Sequence, residues 1–517
     1  MLYLAFIFHM HQPYYKNLLT QETDAPWVRL HGSKDYLDMV EILEKYPDIH
    51  QTFNLVPSLI EQIEDYNNHQ IKDKFLELSY KQACELNTQE KTFILNNFFS
   101  INKDTVIAYF PRYYELYFKK MAKSQFSVQD FLDLQVLFNL SWIDPKFREN
   151  NPELKKLTAK ARFFSEEEKQ TALNEQLKIL TRIIPAYKKF IQKGQIEVTV
   201  NPYYHPILPL LYNTRIAKEA NLKTPLPKIN FSYPEDAKAQ IDSAVSFYKE
   251  RFGIAPCGMW PSEEAVSDHI LPFIICAGIN WIVADEGILF KSLKSKKRDT
   301  RLLYQPHFVE KEEGKLNIVF RDRNLSDLIG FTYHKWKTES AVNDLIKHME
   351  NIHNEFKNRD ALVTLAMDGE NAWEYYPNDG HDFLELLYQK LSESKVIKTV
   401  TVSEYLKKFP ARSKIKRLGA GSWIYTEFGK WIGSPQKVKA WEWLAEAREE
   451  MEKAIKSGNK EAGTGKALKQ MQILEGSDWF WWAGEDVVDG FFEKLFRMHL
   501  INFYTILGKE IPDYLKE

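Results

Sequence analysis

The stretch Leu362-Val-Thr-Leu-Ala-Met-Asp368-Gly-Glu370-Asn-Ala-Trp373-Glu374 changes character halfway along. Residues 361–367 are an apolar run of strand formers, the pattern of a strand buried on both faces of a parallel sheet. From Asp368 the chain turns acidic and aromatic, and it continues into Tyr376-Pro-Asn-Asp-Gly380. In α/β folds the loops that follow the carboxyl ends of strands build the sites. An aspartate in that place is partly desolvated, which raises its pKa and suits it to proton donation. The same letters also suit a plain turn, since Asp-Gly and Asn-Asp-Gly are ordinary turn sequences. The rest of the chain separates the two readings.

Six further segments read as strands. Leu2–His9 ends in His9-Met-His11-Gln12-Pro13, and Ile49–Leu55 follows a helical pattern over residues 35–46. Gln195–Val200 runs into Asn201-Pro-Tyr-Tyr-His205-Pro. After a helix over 235–251, Cys257–Trp260 ends in Pro-Ser-Glu263-Glu264. Trp281–Ala284 ends in Asp285-Glu286, and Leu316–Phe320 ends in Arg321-Asp322-Arg323. Most of these strands finish in charged or histidine-bearing loops, with helical stretches between them. That is a (β/α) barrel with its chemistry gathered on one rim.

The barrel is expected to occupy residues 1–402, interrupted by a long helical insertion at about 57–193. Within the insertion, Ser165 and Glu168 have the spacing of a capping box. Helical periodicity dominates from 403 to 517, with pairs such as Glu449 and Lys453, and predicts a helical domain that completes the cleft. The basic run Lys291–Arg298 reads as a solvated loop.

Composition narrows the function classes. The 517 residues carry a net charge of −2, so nothing points to nucleic acid or another polyanion. The 13 Trp, 26 Tyr and 33 Phe exceed what a core alone asks for and suit stacking on flat, weakly polar ligands. The three cysteines, Cys84, Cys257 and Cys276, are widely spaced and fit neither a metal motif nor a disulfide framework, which favours a reducing compartment. The run Leu2–Phe8 is too short for a signal core or a membrane span. A cytoplasmic protein without membrane contact is expected.

Several constellations carry chemistry, each beside a plainer reading. His9 and His11 have the i,i+2 spacing of a strand chelate, yet no His-x-x-x-His or cysteine pair follows to complete a zinc site, and hydrogen bonding to a polar substrate fits them as well. Glu263 and Glu264 lie just past a strand beside Trp260; a helix start capped by Ser262 would explain both acids. Paired with Asp368, they match the two carboxylates that glycoside hydrolysis uses, one attacking carbon or activating water and one protonating the leaving oxygen. His205 sits in a proline-stiffened loop with two phenols. The patches 421–433 and 478–482 set indoles among glycines and polar groups, as sugar stacking or helix packing would.

Five stretches fall in an order that resembles glycoside hydrolase family 57, in its amylopullulanase and α-amylase branch. They are His11-Gln-Pro, Gly194-Gln-Ile-Glu-Val-Thr-Val-Asn-Pro-Tyr-Tyr-His205-Pro, Gly258-Met-Trp-Pro-Ser-Glu263, Met367-Asp368-Gly-Glu-Asn-Ala-Trp373-Glu and Ser422-Trp423 to Trp431-Ile-Gly433. The resemblance implies an α/β protein, an incomplete (β/α)7 barrel with a C-terminal α-helical bundle. It also implies retaining cleavage of α-1,4 linkages in α-glucans, with α-1,6 linkages left open, and with 4-α-glucan transfer or branching as the alternative outcome. On that pattern Glu263 matches the nucleophile and Asp368 the general acid/base, their carboxyl groups about 5–5.5 Å apart. Glu264 stands where the branch often has glycine. His11, His205, Trp260, Asp322, Trp423, Trp431, Asp478 and Trp479 match substrate-binding positions. No cofactor and no metal are expected, because two carboxylates suffice for a glycosyl-enzyme route.

Overall fold

Leu2–Met10 forms strand β1 in the computed structural model, which describes residues 1–357, 359–459, 462–485 and 490–516. Every residue of β1 is buried. Its period of two divides the strand between two apolar clusters. Leu4, Phe6 and Phe8 face the surrounding helices, while Tyr3, Ala5 and Ile7 face inward with Val283, Val319, Leu362 and Ala366. Burial on both faces is why the segment reads as an unbroken apolar run.

The remaining strands of the main sheet are β2 (Gln51–Leu55), β3 (Ile196–Thr199), β4 (Gly258–Met259) and β5 (Trp281–Asp285). They are followed by β6 (His307–Lys311), β7 (Gly314–Arg321), β8 (Ala361–Asp368), β9 (Ile397–Thr399) and β10 (Ser413–Lys414). Parallel pairing runs from β8 through β1 and β2 to β3. It continues across the bridge Val200–Met259 to β4, β5 and β7, and the single pair Arg321–Thr364 returns it to β8. The result is a nearly closed barrel of seven parallel strands, the architecture expected above. Three strands lie outside that reading. β6 pairs antiparallel with β7, β9 lies beside the first residues of β1, and β10 pairs with β6. All three are short or carry charge, so their hydrophobic pattern is weak.

Helices from Pro57–Asn67 to Glu166–Gln192 separate β2 from β3. The long helix Glu166–Gln192 opens on the expected box, the Ser165 side chain accepting from Glu168 N and Glu168 accepting from Ser165 N. A fully buried arginine fastens these helices together. Arg29 Nε donates to Asp73 Oδ2 at 2.8 Å, and its Nη1 donates to Asn139 Oδ1 at 2.8 Å and Gln176 Oε1 at 2.5 Å.

The basic run Lys291–Arg298 is not wholly solvated, and its two ends are pinned. Lys291 Nζ donates to the carbonyls of Ala220 and Ala420, and Arg298 pairs with Glu286 and Asp322. Carbonyls and carboxylates at the barrel rim need donors, and these two side chains supply them. After β10 the helices Pro435–Lys456, Gly465–Leu474, Ser477–Trp482 and Phe491–Ile506 pack through Trp441, which stacks on the buried Phe480 at 4.2 Å. Among the described residues no helix is long and apolar enough to cross a membrane.

Removing Arg29 leaves Asp73 buried without its charge partner. Arg29→Met is expected to lower unfolding free energy by about 3–5 kcal/mol in denaturant titration. A change under about 1 kcal/mol would show that the insertion does not depend on this pair.

Candidate active site

The strand period that fills the barrel with apolar side chains also sets what stands at its mouth. His9 continues the inward row of Tyr3, Ala5 and Ile7, and it pairs in register with Asp368 of β8. Asn54, one residue before the end of β2, and Asp285 and Arg321, which end β5 and β7, hold the same inward parity. Every one of these last inward positions is polar.

Glu263 stands in the short turn Ser262–Glu264 after β4, with backbone φ 59° and ψ 24°. Its side chain is 13% exposed. Trp423 Nε1 donates to Glu263 Oε2 at 2.8 Å, and the Trp423 amide donates to the Glu263 carbonyl at 3.2 Å. Burial pushes the Glu263 carboxyl up to about 8, helped by the charges of Asp368 and Asp478 and opposed by the Trp423 hydrogen bond. Glu264, with φ 50°, is fully buried. Burial holds its carboxyl well above the usual range against the pull of Arg321 and Arg323. The two adjacent glutamates thus have different surroundings, and Glu263 is the one that reaches the cleft.

Asp368 ends β8, and burial raises its pKa against three opposing groups, Asn371, Arg321 and His11. Asn371 Nδ2 donates to Asp368 Oδ2 at 3.1 Å. Gly369 N donates to the His9 carbonyl at 2.7 Å, and Trp373 Nε1 donates to the Gly369 carbonyl at 2.8 Å, so the loop leaves the strand on fixed bonds. Glu370 accepts from the His11 amide at 3.2 Å.

Three histidines line one wall as a stack. The His11 and His205 ring centroids lie 3.9 Å apart, and His9 stacks on Trp260 at 4.9 Å. His11 Nε2 lies 3.1 Å from both carboxylate oxygens of Asp478, and His205 Nδ1 bonds Ser477 Oγ at 2.8 Å. Burial drops His9 to about 3 and holds His205 well below the usual range. His9 Nδ1 bonds Asn54 Oδ1 at 2.6 Å, and His9 is not among the donor atoms that come together around His11. His11, His205 and Asp478 instead bring donor atoms within 4.8 Å of one another, a set of metal-binding type.

The structure thus gathers Glu263, Asp368, His11, His205, Trp423 and Asp478 around one cleft. It buries three other expected binding residues. Asp322 caps Leu325 N and accepts from Arg298 and Tyr304, which leaves it no free face. Trp431 is fully buried against Trp481. Trp479 donates to the Ile473 carbonyl at 2.7 Å and packs on His499. In each case the side chain serves as a cap or a packing ring in the interior. Trp260 lies under the cleft, edge-on to Trp423 at 6.0 Å. Asn54 was missed, although its inward parity in an apolar strand was the available signal.

Comparison with known proteins places this cleft. The profile described as glycosyl hydrolase family 57 matches residues 5–417. The chain belongs to that family. Among curated relatives, alpha-amylase 1 of Dictyoglomus thermophilum is 25% identical over 264 residues, half of this chain and 33% of that protein. The 4-alpha-glucanotransferase of Thermococcus litoralis is 24% identical over 271 residues, 51% of this chain and 35% of that protein. The matched stretch therefore spans only about a third of these relatives' length. Among solved structures, a family 57 branching enzyme from Thermococcus kodakaraensis aligns at a TM-score of 0.63 and 15% identity, covering 98% of this chain and 90% of that one. The alpha-amylase AmyC of Thermotoga maritima aligns at 0.60 and 14% identity, covering 99% and 95%. These likenesses show a shared fold across family 57.

The raised Glu263 carboxyl has a consequence for stability. Between its ordinary value of 4.5 and its raised value of about 8, the unfolded chain ionises this group while the folded chain keeps the proton, so the native state loses stability as pH rises through that window. Glu263→Gln removes that loss. Its melting temperature should equal the parent's below about pH 4.5, climb above it from there to about pH 8, and then hold a constant lead. Parallel melting curves across that range would show that the group is not raised.

Proposed function

We propose that this chain is a retaining glycosidase acting on α-glucans, with Glu263 as nucleophile and Asp368 as general acid/base. The observation that carries the reading is the pairing itself. Two carboxyl groups, one from the turn after β4 and one from the end of β8, share one buried cleft, and the charge of Asp368 contributes to raising Glu263. Like charges so placed favour holding one proton between them near neutral pH. A glucan entering the cleft brings a glycosidic oxygen to Asp368, which draws the shared proton to that side. Glu263, left anionic and steadied by the Trp423 N–H, attacks the anomeric carbon, and the bond to the leaving oxygen breaks as Asp368 protonates it. In the glycosyl-enzyme Glu263 is neutral, so the Asp368 pKa falls and it accepts the proton of the incoming water or sugar hydroxyl.

His11 and His205 line the wall as hydrogen-bonding groups, with Asp478 fixing His11. Trp423 offers an indole beside the reacting carboxylate, and the helices after residue 403 complete the cleft. No step draws on a cofactor or on the metal-type set His11, His205 and Asp478. Three exposed, unpaired cysteines support a reducing, cytoplasmic setting. Transfer to a sugar hydroxyl, giving a 4-α-glucanotransferase or branching activity, uses the same two carboxylates. Relatives named alpha-amylase and 4-alpha-glucanotransferase match at nearly equal identity, 25% and 24%.

Product analysis on maltoheptaose and pullulan tests the reading. Shorter saccharides with the α-anomer released first are expected for hydrolysis, longer or newly branched chains for transfer, and no change in either glucan would overturn it. Glu263→Gln should cut kcat by roughly 10^4-fold or more while glucan still binds. If Glu264→Gln is the inactive variant instead, the nucleophile is misassigned. Asp368→Asn should lose about 10^2- to 10^4-fold on glucans yet spare the first step on activated aryl or fluoride glycosides. Added azide should restore turnover of those substrates as an α-glycosyl azide. Equal losses on both substrate types, with no azide effect, would remove Asp368 from the role.

A further inference from the structure

Away from the cleft, three segments distant in sequence meet at a second set of polar side chains. Asp38 lies in the short helix Asp38–Glu41, Asp144 caps the insertion helix Pro145–Asn150, and His381 opens the helix His381–Glu393. All three are buried, and their donor atoms lie within 4.8 Å of one another. Asp144 Oδ1 accepts from Lys146 N and Phe147 N, and His381 Nε2 lies 2.6 Å from Asp144 Oδ2. Asp38, only 5% exposed, has its Oδ1 without a partner.

The charge balance around Asp38 is unfavourable. The charges of Asp35, Asp144 and Asp379 all act on it, with Lys34 opposing them. Lys34 binds Asp35 and Asp379, and Arg148 acts on Asp144 and Asp379. Four carboxylates thus face two permanent cations, and the ion pairs of Lys34 go to Asp35 and Asp379. The Asp379 Oδ2 is also without a partner. Two carboxylates and an imidazole are the donor chemistry of a divalent transition metal. A cavity of about 630 Å³ lined by Lys34, Ser141, Pro145, Arg148 and Asp379 reaches the residue next to Asp144 and offers a path inward.

We infer that Asp38, Asp144 and His381 bind one divalent cation of the zinc or manganese class. The site is structural. It fastens the helix that follows the β1 loop, the insertion and the helix that closes the Asp368 loop to one another. His381 comes directly after Asn378, Asp379 and Gly380, three successive left-handed residues with φ of 51°, 53° and 78°. A metal on His381 therefore holds the far end of the loop that begins at Asp368, without touching glucan.

The test reads metal directly and stands apart from any glucan activity. Protein made in medium supplemented with zinc and manganese, and purified without a metal-affinity tag, should carry about one equivalent per chain by plasma mass spectrometry. Stripped wild-type protein should take up zinc or manganese in competition with a chromophoric chelator, with the melting temperature rising by about 2–4 °C at a hundredfold excess over Kd. Asp38→Asn and His381→Gln should each lose that equivalent and that rise. Wild-type protein that holds no stoichiometric metal and melts alike with chelator or cation would overturn the proposal. So would an equivalent that survives in Asp38→Asn and His381→Gln but vanishes in His205→Ala, because the cation would then belong to the cleft.

Discussion

The cleft is organised around a conflict that water would normally dissolve: Glu263, Asp368 and Asp478 are carboxylates that act on one another where little solvent reaches. Two such charges 4 Å apart interact by about 4 kcal/mol at an effective dielectric near 20. One hydrogen bond to a charged group returns only about 1.5–3 kcal/mol. No single donor can therefore offset the conflict, and each carboxyl has a donor of its own while Glu263 stays raised. Trp423 serves Glu263, Asn371 serves Asp368, and His11 serves Asp478. Each donor comes from a different segment. His11 and Asp478 are 467 residues apart, so the electrostatics of the cleft also bind the C-terminal helices to the first strand.

The histidine stack follows from the same shortage of solvent. Two imidazolium rings could not share a 3.9 Å stack, and burial keeps His9 and His205 from protonating. His9 and His205 thereby add no positive charge that would lower the raised carboxyl of Glu263. Asn54 matters here, since its bond to His9 fixes that ring against Trp260 and leaves His11 and His205 to face Asp478 and Ser477.

The barrel was legible because parallel strands buried on both faces have no alternation to confuse them, and the seven apolar runs are the seven barrel strands. Asp368 was legible for the same reason, as the first polar residue on an inward row. Strands β6, β9 and β10 were not, because their pairing is set by neighbours rather than by their own pattern. The aromatic positions show the other limit. Trp423, Trp431 and Trp479 have similar surroundings in sequence, yet only Trp423 meets a carboxylate, while the others fill helix contacts. Which indole faces a cleft depends on packing between elements, and a local window does not contain that. Asp478 became visible through resemblance alone, since its partner His11 lies at the other end of the chain.

The turn at Glu263 and Glu264 shows how backbone strain can select a functional side chain. Both residues are left-handed, with φ of 59° and 50°, and each costs roughly 1–2 kcal/mol in a residue that has a Cβ. Glycine would sit at position 264 without that cost, as it often does in the family branch this chain resembles. The strain is held by bonds on both sides: the Trp423 amide to the Glu263 carbonyl, and the Val266–Gly421 bridge just beyond. With the backbone so fixed, the two side chains have separate fates. Glu264 is driven into the interior beside Arg321 and Arg323, while Glu263 is left at the mouth of the barrel. An ordinary helical start at these residues, the plain alternative in the sequence, would put both acids in one first turn near its N-terminus, where the helix dipole would lower their pKa values. The left-handed pair does the opposite and isolates one carboxyl in a place that raises it.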